Sequence, residues 1–427
     1  MKLLSFEINN YKSLRSVQLI PSDMTVIIGA NGSGKSNLSS SFDFIADIYA
    51  NGIDFAVAKK GGFENIAFRR QRRTKSAVTF VIKAEFEKAE ARRAVSRSFV
   101  LRSISAARVR AISFEHKISL RASKQAISAD YYVEDELIEL VIGLNQPESS
   151  RDPDVITITL RKNDGKVSFQ SSNAEIGDRF KEYLRLVGDP SEQIANTEGD
   201  ESYVRVFFPA IATALSGISV FQFSPQICRT PGAPSPNPRL SGYGQNLPSL
   251  IDWLSRKHPA KWESVVSSMR SIVPTLESIS TQYLHTKTLG LVFQEEGFNR
   301  PWTAEDVSDG TIQSLAILVS LADPRNDLMF IEEPENSVHP WIVRQLANQL
   351  KKISKQKQVF VTTHSPVILN LVSPNDVWVC FKINGETSIR NLTEIGPEII
   401  HDWENGQGRL FDLLDLGIVD EAVPSGR

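Results

Sequence analysis

Residues Gly29-Ala30-Asn31-Gly32-Ser33-Gly34-Lys35-Ser36 fit the pattern G-x-x-x-x-G-K-[ST]. Those residue types at that spacing bind phosphate. Glycines such as Gly29, Gly32 and Gly34 let backbone N–H groups, including those of Asn31 and Ser33, close around an anion. Lys35 can reach β- and γ-phosphates, and the Ser36 hydroxyl suits Mg²⁺. A loop of this kind needs a strand before it and a helix after it. Thr25-Val26-Ile27-Ile28 is a β-branched run that reads as a buried strand. Asn37 to Ala46 reads as a helix, with Leu38, Phe42, Ile45 and Ala46 at helical spacing. Its N-terminus would add the positive end of a helix dipole. Asn37 completes the expected nucleotide-contacting set.

A phosphate loop of this type works with carboxylates that hold the metal and activate water. Leu328-Met329-Phe330-Ile331 delivers Glu332 and Glu333 at the end of a buried strand. Glu332 is expected in the Mg²⁺ shell, directly or through water, and Glu333 is expected to polarise the attacking water. Ser308-Asp309-Gly310-Thr311 places hydroxyls and a glycine at a helix start, which suits either an anion or an ordinary N-cap. His364 follows the buried run Val359-Phe360-Val361-Thr362, where it could contact a γ-phosphate or serve the fold alone. The segment Pro334 to Pro340 reads as a loop able to signal between two nucleotide sites.

Composition excludes several classes. Of 427 residues, 41% are hydrophobic and 23% charged, ordinary values for a soluble protein with a large core. Two cysteines, Cys228 and Cys380, cannot form a disulfide framework and read as buried thiols of a reducing compartment. No secretory segment opens the chain and no apolar run spans a membrane, so the expected location is cytoplasmic. The net charge of −2 hides a polarity. Lys59 to Lys124 carries 18 Lys and Arg against five Glu, whereas Asp130 to Glu201 carries 17 Asp and Glu against seven Lys and Arg. Either the basic half meets nucleic acid, with Arg69, Arg70, Arg72 and Arg73 foremost, or the two segments neutralise each other.

Strand patterns recur at Leu3–Ile8, Val17–Ile20, Val78–Ile82, Ala111–Leu120 and Val155–Leu160, with Asn163-Asp164-Gly165 as a hairpin turn. Helical patterns occupy Leu250–Arg256, Trp262–Ile272, Gln313–Leu321 and Ile342–Ile353, and Thr230 to Pro238 reads as a loop. The expected fold is α/β, a mixed or parallel sheet with helices, joined by a β-rich lobe and a helical insertion. The expected domains are 1–170 with the phosphate loop, 171–300 as the inserted region, and 301–427 with the carboxylates and His364.

Order and spacing of these parts resemble the ATP-binding-cassette P-loop ATPases of the SMC/RecF type, and among them the ATPase module of OLD-family proteins and related bacterial defence ATPases. Asn9 to Leu19, Ile27 to Asn37, Leu240 to Leu254, Val307 to Ile317, Ile331 to Pro340 and Val361 to Pro366 carry the resemblance. It implies ATP hydrolysis with Mg²⁺, and a head-to-head homodimer or higher oligomer that sandwiches ATP. In that dimer the signature Ser308-Asp309-Gly310-Thr311 of one subunit caps the nucleotide held by Lys35 of the other. It further implies an antiphage switch acting on double-stranded DNA or on an effector protein encoded nearby. A RecF-like repair ATPase and a non-hydrolysing ATP-dependent scaffold are the alternatives. A transporter subunit fits less well, because the signature is Ser-Asp-Gly-Thr and a large β-rich insertion follows the phosphate loop. Two departures stand out: only Gln71 offers itself for the family's Q-loop, and the acidic nuclease domain of OLD-family proteins is not expected here. Asp412, Asp415 and Asp420 in the tail from Phe411 to Val423 read as part of a terminal helix.

Overall fold

Val78 to Phe86 alternates buried and partly exposed side chains along its whole length, the pattern of a strand with one face on a core. A computed structural model describes residues 1–68, 76–123, 130–145, 154–163, 166–187, 202–285 and 287–415. In chain order its strands are β1 (Lys2–Tyr11), β2 (Leu14–Leu19), β3 (Met24–Ile28), β4 (Val78–Phe86), β5 (Val109–Ala122), β6 (Tyr131–Leu144), β7 (Val155–Asn163) and β8 (Lys166–Ser171). They continue with β9 (Ile218–Phe221), β10 (Leu276–Tyr283), β11 (Leu289–Glu295), β12 (Trp302–Thr303), β13 (Leu328–Glu332), β14 (Gln358–Thr362), β15 (Val377–Ile383) and β16 (Glu386–Asn391).

The chain divides into two units. The first comprises Met1–Pro21, Asn31–Ile218 and Cys380–Arg390. Its strands lie in the order β8-β7-β6-β5-β4-β1-β2-β16. Neighbours are antiparallel from β8 to β2, and β16 joins parallel to β2 through Thr387 and Leu14. The helix Lys35–Asn51 lays an aromatic face on this sheet. Phe42 meets Phe6 edge-on at 4.6 Å, and Phe44 lies 5.7 Å from both Tyr11 and Phe80. Leu38, Phe42 and Ile45 are all buried, as the helical spacing requires.

Charge pairing in this unit links β5 to β6 and β6 to β7. Lys117 pairs with Asp135 at 2.8 Å, Arg121 with Glu134 at 2.6 Å, and Arg161 with Asp135 at 3.3 Å. Lys117 and Arg121 of the basic segment thus neutralise Asp135 and Glu134 of the acidic one, whereas the Arg161–Asp135 pair lies within the acidic segment. Arg69, Arg70, Gln71, Arg72 and Arg73 lie outside the described residues, as do Asp164 and Gly165 of the expected hairpin turn. The strands flanking that turn pair antiparallel, Asn163 opposite Lys166.

A buried polar chain crosses the same unit. The Tyr49 hydroxyl, near the end of the helix Lys35–Asn51, meets His116 Nε2, and His116 Nδ1 lies 3.1 Å from the Leu137 carbonyl. Glu136 accepts from the Ser202 hydroxyl and from the Tyr203 N–H at 2.8 Å. Burial lowers His116 from 6.5 to about 4 and raises the Glu136 carboxyl. A histidine held neutral binds more protons when unfolded, so its stabilisation is full above about pH 6.5 and is lost as pH falls toward 4. Between pH 7 and pH 5 the wild type should lose about 2 kcal/mol more than His116→Gln in urea melts. Glu136 titrates in the opposite sense but is present in both proteins. Equal losses would remove the neutral imidazole as the cause.

The second unit comprises Ser22–Ala30, Ser219–Val379 and Asn391–Arg427. Here Val377–Val379 of β15 pair with β3, β3 with β14 and β14 with β13, all parallel. β9 lies beyond β13. All residues of β3 and β14 are buried, which explains their unbroken apolar runs: both faces of a parallel sheet are covered. The helices Leu247–Lys257, Pro259–Ile272, Asp309–Ala322 and Pro340–Ser354 enclose the expected helical spans. A separate sheet, β10-β11-β12, interrupts the region expected to be mainly helix and loop. The two units also interleave along the chain, whereas the expected domains are consecutive. The reason is pairing: β3 from the N-terminal part joins β14, and β16 from the C-terminal part joins β2.

Cys228 and Cys380 are free, buried thiols, pushed up by burial to about 12 and about 11. Among the described residues no helix is long and apolar enough to cross a membrane. The tail forms a helix over Leu410–Asp415 that contains Asp412, and Asp420 lies outside the described residues.

Candidate nucleotide site

The phosphate loop begins where β3 ends. Gly29, Gly32 and Gly34 have φ of 148°, 76° and 117°, a backbone that side-chain-bearing residues rarely adopt. Gly34 is the N-cap of the helix Lys35–Asn51 and has no side chain to satisfy the first N–H groups. Its own carbonyl accepts from the N–H of Asn37 and of Leu38, both at 3.0 Å. Lys35 and Ser33 are buried.

A relay of side chains braces Asn31–Asn37 from within the first unit. Asn37 Nδ2 donates to Ser13 Oγ at 2.6 Å, the Ser13 and Thr387 hydroxyls meet at 2.7 Å, and Thr387 Oγ1 donates to the Ser33 carbonyl at 2.8 Å. Because Thr387 donates to Ser33, Ser13 must donate to Thr387, so all three bonds run one way. The Thr387 N–H adds a bond to the Ser13 carbonyl at 2.8 Å. A Cβ at Gly34 would fall on the Thr387 side chain. Sequence reading missed both Ser13 and Thr387 as supports, since a lone Ser and a lone Thr carry no pattern.

Beside this relay lies a cavity of about 450 Å³ lined by Lys12, Ser13, Asn65, Ala67, Phe68, Asn384 and Gly385. Lys12 sits at φ 50° and donates through Nζ to Ser40 Oγ at 2.8 Å. Asn384 and Gly385, at φ 52° and 82°, form the turn between β15 and β16.

The second unit gathers the carboxylates and the histidine. Glu332 ends β13 opposite Thr362 of β14, which in turn lies opposite Ile27 of β3. The Thr363 N–H donates to the Ile27 carbonyl at 3.2 Å, so the turn leading to His364 is anchored on β3 itself. Glu333 has φ 46°, a left-handed conformation uncommon for a glutamate. It is held there by its N–H to the Thr362 carbonyl at 2.9 Å and by Asn336 Nδ2 to its Oε2 at 2.8 Å. Backbone strain of this kind concentrates at functional positions.

Glu335 ties the acidic loop to the histidine. Its Oε1 accepts from Thr363 Oγ1 and from the His364 N–H, both at 2.7 Å. Glu333, Glu335, Asn336 and His364 line one cavity of about 340 Å³. The sequence marked Glu335 only as part of a signalling loop; its bond to the His364 backbone is visible in the fold alone.

The Ser308 segment is an N-cap in this fold: its hydroxyl accepts from the Thr311 N–H at 3.2 Å, at the start of the helix Asp309–Ala322. That does not remove the helix N-terminus as an anion site, since other N–H groups of the first turn lack intrahelical partners. Gly310 has a steric reason to be glycine, because a Cβ there would sit 2.8 Å from the Ser337 carbonyl oxygen.

Mg²⁺ is implied by the phosphate loop, and the chemistry of each expected donor suits it. Ser36 and Glu332 offer a hydroxyl and a carboxylate, hard oxygens of the kind Mg²⁺ takes alongside water and phosphate. Among the described residues no group of three or more His, Cys, Asp or Glu could hold a metal. Mg²⁺ sites completed by substrate phosphates do not require one.

A family model described as "AAA domain, putative AbiEii toxin, Type IV TA system" matches residues 24–370. No curated protein matches the chain. Among solved structures, it is similar to a SMC head bound to the C-winged helix domain of ScpA, at 14% identity and a TM-score of 0.43, covering 91% of this chain and 98% of that one. The SMC head domain from Thermotoga maritima shares 15% identity with a TM-score of 0.38, covering 92% and 99%. An Smc head domain with an extended coiled coil, bound to the C-terminal domain of ScpA derived from Pyrococcus furiosus, shares 14% at 0.37, covering 95% and 100%. At such identities and scores these likenesses assign no activity.

Proposed function

The chain belongs to this AAA-domain family, and from that premise we propose that it binds ATP at Gly29–Asn37 and hydrolyses it with Mg²⁺ as a nucleotide-driven switch. The observation that carries the reading is strand order: β3 leads into the phosphate loop and pairs with β14, which pairs with β13. His364 follows β14, and Glu332 and Glu333 close β13.

Bound Mg²⁺ would neutralise charge on the β- and γ-phosphates. Lys35 binds those phosphates, and the amides of Asn31 to Ser36 surround them. Ser36 and Glu332 would hold the metal. Glu333 orients the attacking water and takes its proton, and His364 meets the γ-phosphate side. The cavity lined by Lys12, Ser13 and Phe68 receives the nucleoside, supported by Ser13, which both lines it and braces Asn37.

We further assign Ser308 to Thr311 to a second copy's nucleotide, so that ATP closes a dimer and hydrolysis opens it. Its output is DNA engagement or control of an effector protein in bacterial antiphage defence, as the resemblance implies. Calorimetry tests the binding step. Wild type should give a saturable ATP heat, and Lys35→Ala should give none at concentrations that saturate the wild type. Equal affinity in both proteins would sink the assignment.

A further inference from the structure

Arg229 follows the short helix Pro225–Cys228, and only 11% of its side chain is exposed. Its guanidinium spends three nitrogens on one stretch of six residues. Nε donates to the Ala304 carbonyl at 2.9 Å, Nη2 to the Val307 carbonyl at 2.7 Å, and Nη1 pairs with Asp309 Oδ1 at 2.6 Å. A planar fork with fixed donors can serve two carbonyls and a carboxylate together; an ammonium on a flexible stem cannot. The contacts bracket Ser308, gripping Val307 before it and Asp309 after it.

The other side of the segment is also fixed. Gly310 approaches Ser337 so closely that a Cβ would lie 2.8 Å from the Ser337 carbonyl. Ser337 itself has φ 62° and belongs to the loop that carries Glu333 and Glu335. Ser308 and Gly310 are therefore held between a largely covered guanidinium and the backbone of the carboxylate loop.

We propose that Arg229 is the positioning residue of the signature, holding Ser308 and Gly310 in the conformation that meets the nucleotide of a second copy of the chain. This rests on the reading that the signature acts in trans. Arg229 touches no reacting atom in this role. Its loss misplaces the donors on the partner's nucleotide and leaves its own phosphate loop untouched.

Mixed oligomers test this in full-length protein. The control is Ser308→Arg mixed with Lys35→Ala, each inactive alone. One composite site in the mixed dimer, an intact phosphate loop facing an intact signature, should restore ATP hydrolysis. Arg229→Ala alone should keep ATP affinity and melting temperature but lose turnover by on the order of tenfold to a hundredfold. Mixed with Lys35→Ala it should recover activity as Ser308→Arg does; mixed with Ser308→Arg it should recover none. Arg229→Lys should regain part of the turnover through Asp309 alone.

Arg229→Ala with wild-type turnover overturns the proposal. So does an Arg229→Ala chain that complements neither partner or melts early, because that marks general damage to the fold. If the control pair stays inactive although mixed dimers form, the trans reading itself fails, and the control reports this independently of Arg229.

Discussion

Glu333→Gln should lower ATP turnover by about 10²- to 10⁴-fold, the usual contribution of a positioned general base, while ATP affinity stays near wild type. The local geometry explains why the two effects separate. Glu333 is fixed by its backbone bond to Thr362 and by Asn336 donating to its Oε2. A glutamine fills the same space, and its carbonyl oxygen still accepts from Asn336. What it lacks is the negative charge and the capacity to take a proton from water. Binding, carried by the phosphate loop, has no reason to change, and a nucleotide-closed dimer that cannot hydrolyse should accumulate. Phosphate release, calorimetry and size-exclusion chromatography with ATP measure the three parts. Turnover within a few-fold of wild type would remove Glu333 from the catalytic role. A parallel loss of ATP affinity would mean that the substitution disturbed the left-handed turn and not only the chemistry.

That Glu333 stands out in the sequence has a physical cause. A buried parallel strand is an unbroken apolar run, so Leu328–Ile331 ends visibly where Glu332 begins, and the phosphate loop is contiguous with the strand and helix that aim it. Contiguous chemistry leaves a contiguous signal. Thr387 and Ser13 leave none. Each is a common hydroxyl, they stand far apart in the chain, and only the parallel pairing of β16 with β2 brings them together under Ser33. Arg229 is likewise a single basic residue whose three partners lie more than seventy positions away. The β10–β11 hairpin was unmarked because β10 exposes most of its residues and so lacks a clean alternation. The interleaving of the two units was hidden for a related reason: strand order in a sheet is set by pairing between distant segments, which local periodicity does not encode.

Gly34→Ala should abolish ATP binding while the aromatic core around Phe6, Phe42 and Phe80 stays folded. Two costs act at this residue. Gly34 sits at φ 117°, and holding a non-glycine residue in such a region costs roughly 1–3 kcal/mol, about 5- to 150-fold in affinity if the loop must adopt it to bind. In addition, the new methyl would land on Thr387, the residue that donates to the Ser33 carbonyl. Relieving the clash pushes Thr387 away and breaks the relay from Asn37 through Ser13. The double variant Gly34→Ala/Thr387→Ala separates these costs, because it restores space without restoring the dihedral or the bond to Ser33. It should still bind ATP about 5- to 150-fold more weakly than Thr387→Ala alone, whereas Thr387→Ala itself should bind with modestly reduced affinity, one neutral hydrogen bond being worth about 1 kcal/mol. Recovery of binding in the double variant to the level of Thr387→Ala would mean that crowding alone excludes a side chain at Gly34. Wild-type affinity in Gly34→Ala itself would show that the bound loop does not keep the backbone described here.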